Sequence, residues 1–197
     1  MQIDISLKDY LEDVSSYSPA PGGGSVVAYM TSLSIGLYLM SVRISVRRKS
    51  FLSLDEKTKE EVFKNIDKLD EINKIILNYV DKDIDTFNEF MKAYRSKDEE
   101  AIKRETIKCF NEPYHVLNLI FEAIDVMLLD QKYIVKSVRS DLRIALKSLE
   151  AQFDNCKENI NINIENIDDE FIHENVRIAY QKIDVYREKL NEFFASV

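Results

Sequence analysis

Ser18-Pro-Ala-Pro-Gly-Gly-Gly-Ser25 runs directly into Val26-Val-Ala-Tyr-Met-Thr-Ser-Leu-Ser-Ile-Gly-Leu-Tyr-Leu-Met-Ser-Val42, a stretch without a single charge. The first segment cannot be regular structure, because it gathers two prolines and three glycines. The second reads as a helix from Ser25 to about Arg48 that every other element must cover. It holds Thr31, Ser32, Ser34, Gly36, Tyr29 and Tyr38 and is shorter than the ~20 residues of a bilayer span, so it reads as a buried central helix. Outside this cluster only Gly36 and Pro113 punctuate the chain, and so little punctuation implies long helices.

Leu7 to Ser15 reads as a short opening helix. Ser53 or Asp55 caps the next, whose Val62, Ile66, Leu69, Ile72, Ile76 and Val80 recur at helical spacing, reaching as far as Tyr94. Lys97 to Asp130 repeats the pattern, with a kink expected at Pro113. Leu142, Leu146, Leu149, Phe153, Cys156, Ile160 and Asn163 advance by fours and threes, the seam of a helix packed along its length. After a polar connection at Asn166 to Asp169, a last helix from Phe171 to Phe194 puts Ile172, Val176, Ala179, Ile183, Tyr186, Leu190 and Phe193 on one side. Asn159 to Ile164 alternates like a strand, but its helical flanks favour continuation of the helix. The expected fold is all-α: an up-and-down helical bundle, one domain over residues 1–197.

At 197 residues and 45 % apolar content, the chain suffices for one sizeable core. A net charge of −8, with one basic cluster at Arg43 to Lys49, argues against nucleic acid as a partner. Cys109 and Cys156 lack CxxC spacing, and His115 and His173 lack spaced acidic partners, so no metal is expected. Met1 to Tyr10 carries acidic residues and no basic-then-apolar pattern; with two unpaired thiols this fits a cytoplasmic location.

The triple glycine lets backbone approach a ligand closely, and the free N–H groups of the following turn favour negative charge, so the loop is a candidate anion or carbonyl site. A plain tight turn is the bland alternative, but it needs one glycine, not three. Arg43, Arg47, Arg48 and Lys49 could hold carboxylates or merely complement a helix C-terminus. Asp81, Asp83 and Asp85 form an acidic run in which acid–base work requires a buried member. Asp83 lies mid-helix with no capping duty to explain it, whereas Asp141, beside Ser140, opens a helix and has one. Asn159 and Asn163 are one turn apart, while Asp141 and Asn159 are separated by roughly 27 Å of helix. Those last two cannot serve one small substrate within a chain, which points to a homodimer.

Together these pieces resemble the cyclodeaminase family of folate enzymes, which includes the related methenyltetrahydrofolate cyclohydrolases. The resemblance runs in family order through Ser18 to Val26, Arg48 to Asp55, Val80 to Phe87, Arg139 to Leu142, Asn159 to Asn163 and Ile167 to Glu170. It implies an all-helical homodimer acting on a reduced folate, polyglutamylated or not, without any cofactor beyond that carrier. The leading activity it implies is formimidoyltetrahydrofolate cyclodeaminase, an ammonia-lyase; the alternative is methenyltetrahydrofolate cyclohydrolase. By position in the motifs, Asp83 and Asp141 are the acid–base candidates. Pro21, Gly22, Gly23, Gly24 and Ser25 would contact the pterin or one-carbon unit, Arg47, Arg48 or Lys49 the glutamate tail, and Ser140, Asn159 and Asn163 the remainder.

The chain departs from the family pattern in three places. A longer loop with Leu-Pro-Lys is replaced by Arg95-Ser96-Lys97-Asp98, Ile134-Val135 stand where Gly-Asn usually precedes Ser-Asp, and Arg47 stands for a glycine. These departures motivate a reading of a different class, a folate-binding or structural helical dimer without turnover.

Overall fold

The computed structural model describes residues 1–165 and 167–196, so Asn166 of the expected polar connection and Val197 lie outside the described residues. After a short opening helix α1 (Leu7–Val14), its organising element is α2 (Gly23–Ser45), which packs against α4 (Glu56–Ser96), α5 (Glu99–Asp130) and α6 (Arg139–Ile164). At 23 residues α2 is longer than the uncharged stretch and long enough for a bilayer, yet 61 % of its most apolar stretch is buried inside the bundle, while Met30, Leu33 and Met40 stay exposed. Its hydroxyls are absorbed internally: Thr31, Ser34, Ser41 and Ser45 each donate to the carbonyl four residues back.

Pairings along the helices fix their directions. Ser25 meets Asp83 while Arg43 meets Asp70, so α2 and α4 are antiparallel. Lys82 with Glu112 and Asn65 with Asp130 make α4 and α5 antiparallel. Asn163 with Cys109 and Phe153 with Phe121 do the same for α5 and α6. α7 (Glu170–Ser196) runs back along α6, tied by Tyr180 to Asn161 and Arg187 to Asp154. No strand occurs among the described residues, and the architecture is the expected up-and-down bundle.

The predicted seam is realised: Leu142, Leu146, Leu149, Phe153, Cys156 and Ile160 are fully buried. Asp55, not Ser53, caps α4, its carboxylate accepting from Thr58 N–H at 2.9 Å. The helix expected from Lys97 begins at Glu99 under an Asp98 cap, and Lys97 takes the left-handed conformation that ends α4, leaving a two-residue link. α5 continues through Pro113. Four elements are absent from the sequence reading: α3 (Lys49–Leu52) and 3-10 turns at Gln2–Asp4, Gln131–Tyr133 and Lys136–Val138. The connection after α5 is pinned to the end of α2, where Val135 N–H donates to Ser45 Oγ at 3.0 Å and Ile134 is buried. Ile134-Val135, the departure from the family pattern, is therefore part of the core.

Candidate functional site

The N-terminus of α2 is closed by a side chain from another helix. Ser25 N–H donates to Asp83 Oδ2 at 2.9 Å, and Asp83 crowds the loop so closely that a Cβ on Gly24 would lie 2.0 Å from its Oδ1. A Cβ on Gly23 would come within 3.1 Å of Asn159 Oδ1. None of the described glycines has positive φ, so these two are needed for close approach and not for an unusual backbone conformation. Two sequence arguments are corrected here. Asp83 does have a capping duty, exercised across helices, and the α2 N-terminus already holds a carboxylate of its own.

Beside this junction opens a cleft of about 370 Å³. Its walls are the Pro19-Ala20 and Gly22–Gly24 backbone, one face of α4 (Asp83, Thr86, Phe87, Phe90), Cys109 of α5, and Asn159, Ile162 and Asn163 of α6. Phe87, Phe90 and Ile162 give it an apolar side opposite the polar loop, the composition of a small-molecule site. Of these, Pro19 and Ala20 belong to the glycine loop already read as a candidate site, whereas Thr86, Phe87, Phe90, Cys109 and Ile162 were not among the candidate site residues. Thr86, Phe87 and Phe90 follow Asp83 at three, four and seven residues, so the helical period anchored on Asp83 was the signal that could have found them.

Burial pushes the proton affinity of Asp83 above the usual carboxylate range; the Ser25 hydrogen bond opposes this and the nearby negative charge of Glu112 adds to it. Cys109 is pushed up to about 11, by burial first and then by Asp83, Glu105 and Glu112, so it stays a thiol at neutral pH and is no nucleophile. Pro113 lacks the N–H that would bond the Cys109 carbonyl four residues back. Asn163 Nδ2 donates to that carbonyl at 3.2 Å instead, and to Asn159 O at 2.8 Å, tying α5 to α6 beneath the cleft. Asn159 Nδ2 is likewise engaged, donating to Asn155 O at 3.0 Å.

The structure sorts the expected site residues into two groups. Gly22, Gly23, Gly24, Asp83, Asn159 and Asn163 line the cleft. Pro21 is buried behind it, preceded by a cis peptide bond, and Ser25 is buried with its Oγ 3.0 Å from the Tyr10 hydroxyl, so only its backbone serves the junction. Arg47, Arg48 and Lys49 are exposed at the opposite end of α2, a helix about 35 Å long. Ser140 and Asp141 open α6 at that same far end. Within one chain neither Asp141 nor the basic cluster reaches the cleft, because the antiparallel helices carry them to the other end of the bundle. Among the described residues no group of three or more His, Cys, Asp or Glu side chains is arranged to hold a metal.

The family described as formiminotransferase-cyclodeaminase matches residues 6–182. The chain belongs to that family. A Dictyostelium discoideum formimidoyltransferase-cyclodeaminase is 25 % identical over 193 residues; these cover 95 % of this chain but 35 % of that protein, so the chain spans about a third of its length. A methenyltetrahydrofolate cyclohydrolase of Methylorubrum extorquens is 22 % identical over 173 residues, covering 83 % of this chain and 81 % of that protein. The crystal structure of formiminotetrahydrofolate cyclodeaminase from Thermotoga maritima superposes with a TM-score of 0.85 at 22 % identity, covering 96 % of this chain and 93 % of that one, and shares its fold. This cyclodeaminase-family bundle thus comes from a group whose named members process one-carbon folates.

Proposed function

We propose that the chain closes 5-formimidoyltetrahydrofolate to 5,10-methenyltetrahydrofolate with release of ammonia. The observation that carries this reading is Asp83, a carboxylate of raised proton affinity in the wall of a folate-family cleft. As N10 attacks the formimidoyl carbon, the N10–C bond forms and the N10 proton passes to Asp83. The formimidoyl nitrogen, which takes a proton from solvent before the attack and so becomes a neutral amine, receives the N10 proton from the same carboxyl. Its C–N bond then breaks, ammonia leaves, and the methenyl bridge spans N5 and N10. Phe87, Phe90 and Ile162 supply an apolar wall for an aromatic substrate ring, and the Gly22–Gly24 backbone a close polar edge. The folate is its own carrier, and no further cofactor enters this scheme.

A second reading, methenyltetrahydrofolate cyclohydrolase, is favoured by the near full-length match to a protein of that name. There water adds to the methenyl carbon and gives one proton to Asp83, which passes it to N5 as the N5–C bond opens, while the remaining hydroxyl proton leaves to solvent as the 10-formyl carbonyl forms. Incubating the protein with each folate, following methenyl absorbance and ammonia, separates the two. Ammonia release from the formimidoyl substrate supports the first, methenyl loss alone the second, and tight binding without turnover of either indicates a non-catalytic folate binder. We further infer a homodimer, because Arg47–Lys49 and Asp141 could meet a cleft only across a subunit boundary.

A further inference from the structure

Behind Asp83 the bundle buries a second carboxylate. Glu112 of α5 is 6 % exposed; its Oε1 is held by Lys82 Nζ at 3.1 Å, while its Oε2 is buried with no hydrogen-bond partner. Lys82 in turn sits 4.6 Å from the centroid of the Tyr79 ring. Glu112 and Asp83 line one small pocket of about 10 Å³, which shares Gly24, Asp83 and Asn159 with the cleft. A buried carboxylate oxygen without a donor costs free energy, so its presence calls for an explanation.

We propose that Glu112 is a positioning residue for proton transfer: a fixed negative charge, oriented by Lys82, that sets how tightly Asp83 holds a proton at the cleft wall. The inference rests on Asp83 as the acid–base group of the proposed reaction. Glu112 touches the small pocket and not the cleft, so it neither meets substrate nor exchanges the transferred proton. A like charge close to Asp83 disfavours its ionised form, which makes it a better proton acceptor as N10 closes the ring. Lys82 engages only Oε1, which damps the charge without cancelling it and leaves Oε2 buried without a partner. The other titratable groups around Asp83 are Cys109 on α5, Tyr79 on α4, and Tyr10 and Asp81 next to the Ser25 junction; α2 and α6 bring the uncharged Gly24, Ser25 and Asn159.

The test titrates Asp83 itself in the folate-free protein, by carbon-13 carboxyl NMR of aspartate-labelled chain, with Asp83→Asn to assign the signal. Glu112→Gln, which keeps the shape, should lower the Asp83 midpoint by roughly one pH unit. Lys82→Met, which strips the counter-charge from Glu112, should raise it. In the turnover assay the acid limb of kcat for Glu112→Gln should move down in pH with the NMR midpoint while KM holds. Unmoved midpoints in both variants overturn the proposal even if the enzyme turns over normally. Opposite shifts with neither folate consumed uphold the charge pair and sink the catalytic reading instead.

Discussion

Replacing Gly24 by alanine places a carbon 2.0 Å from Asp83 Oδ1 and 2.6 Å from its Cγ, so the Asp83 carboxylate has to swing away. The swing breaks the charge-assisted bond from Ser25 N–H, a contact of a kind that contributes about 1.5–3 kcal/mol. Alanine offsets up to ~1 kcal/mol of this through its better helix propensity, since Gly24 lies inside α2. Gly24→Ala should therefore destabilise by about 0.5–2 kcal/mol, the difference of those two contributions. In an Asp83→Ala background the clash is gone, and the same substitution should be neutral or stabilising by up to ~1 kcal/mol. Urea unfolding of the four proteins, followed by far-UV circular dichroism, gives the cycle directly, with an expected coupling of about 1.5–3 kcal/mol. Equal destabilisation by Gly24→Ala in both backgrounds would refute the idea that this glycine exists to admit Asp83.

Four further outcomes are expected. Asp83→Asn should cut turnover by ~10²–10⁴-fold with folate affinity nearly unchanged, whereas Asp85→Asn, on the exposed side of α4, should keep parental rates; equal rates for the two would end the assignment. Leu149→Ala, at a fully buried seam position, should cost ~2–5 kcal/mol, read as a fall in denaturation midpoint. Asp130, pushed up to about 6 by burial against the opposing help of Asn65 and Lys132, has a folded value above its unfolded one. Its share of stability is thus full below the usual carboxylate range, falls as pH rises towards about 6 and is flat above, and Asp130→Asn should flatten that fall in unfolding titrations. Light scattering at micromolar concentration should give twice the 23.0 kDa chain mass; monomer alone would contradict the dimer.

The helices of this chain are readable from sequence because each is long, periodic and bounded by few breakers, so local signals agree with the burial that packing later imposes. The buried set of α6 from Leu142 to Ile160 follows directly from the spacing, as does the central place of α2. The glycine loop is readable as special, but its reason is not. Sequence rules connect consecutive glycines to left-handed backbone or bound anions, while here Gly24 and Gly23 make room for Asp83 and Asn159, 59 and 136 residues away along the chain. The capping duty of Asp83 is invisible for the same cause, since a cap is looked for within three residues and this one comes from an antiparallel neighbour. Pro113 announces a defect in α5, yet only packing shows that Asn163 takes up the carbonyl it leaves at Cys109. Helix periodicity is a one-dimensional signal and fixes which face each residue occupies. Which ends of which helices meet depends on their directions and register, and that alone brings Asp83 and Asn159 to one cleft and leaves Arg47 and Asp141 at the other end.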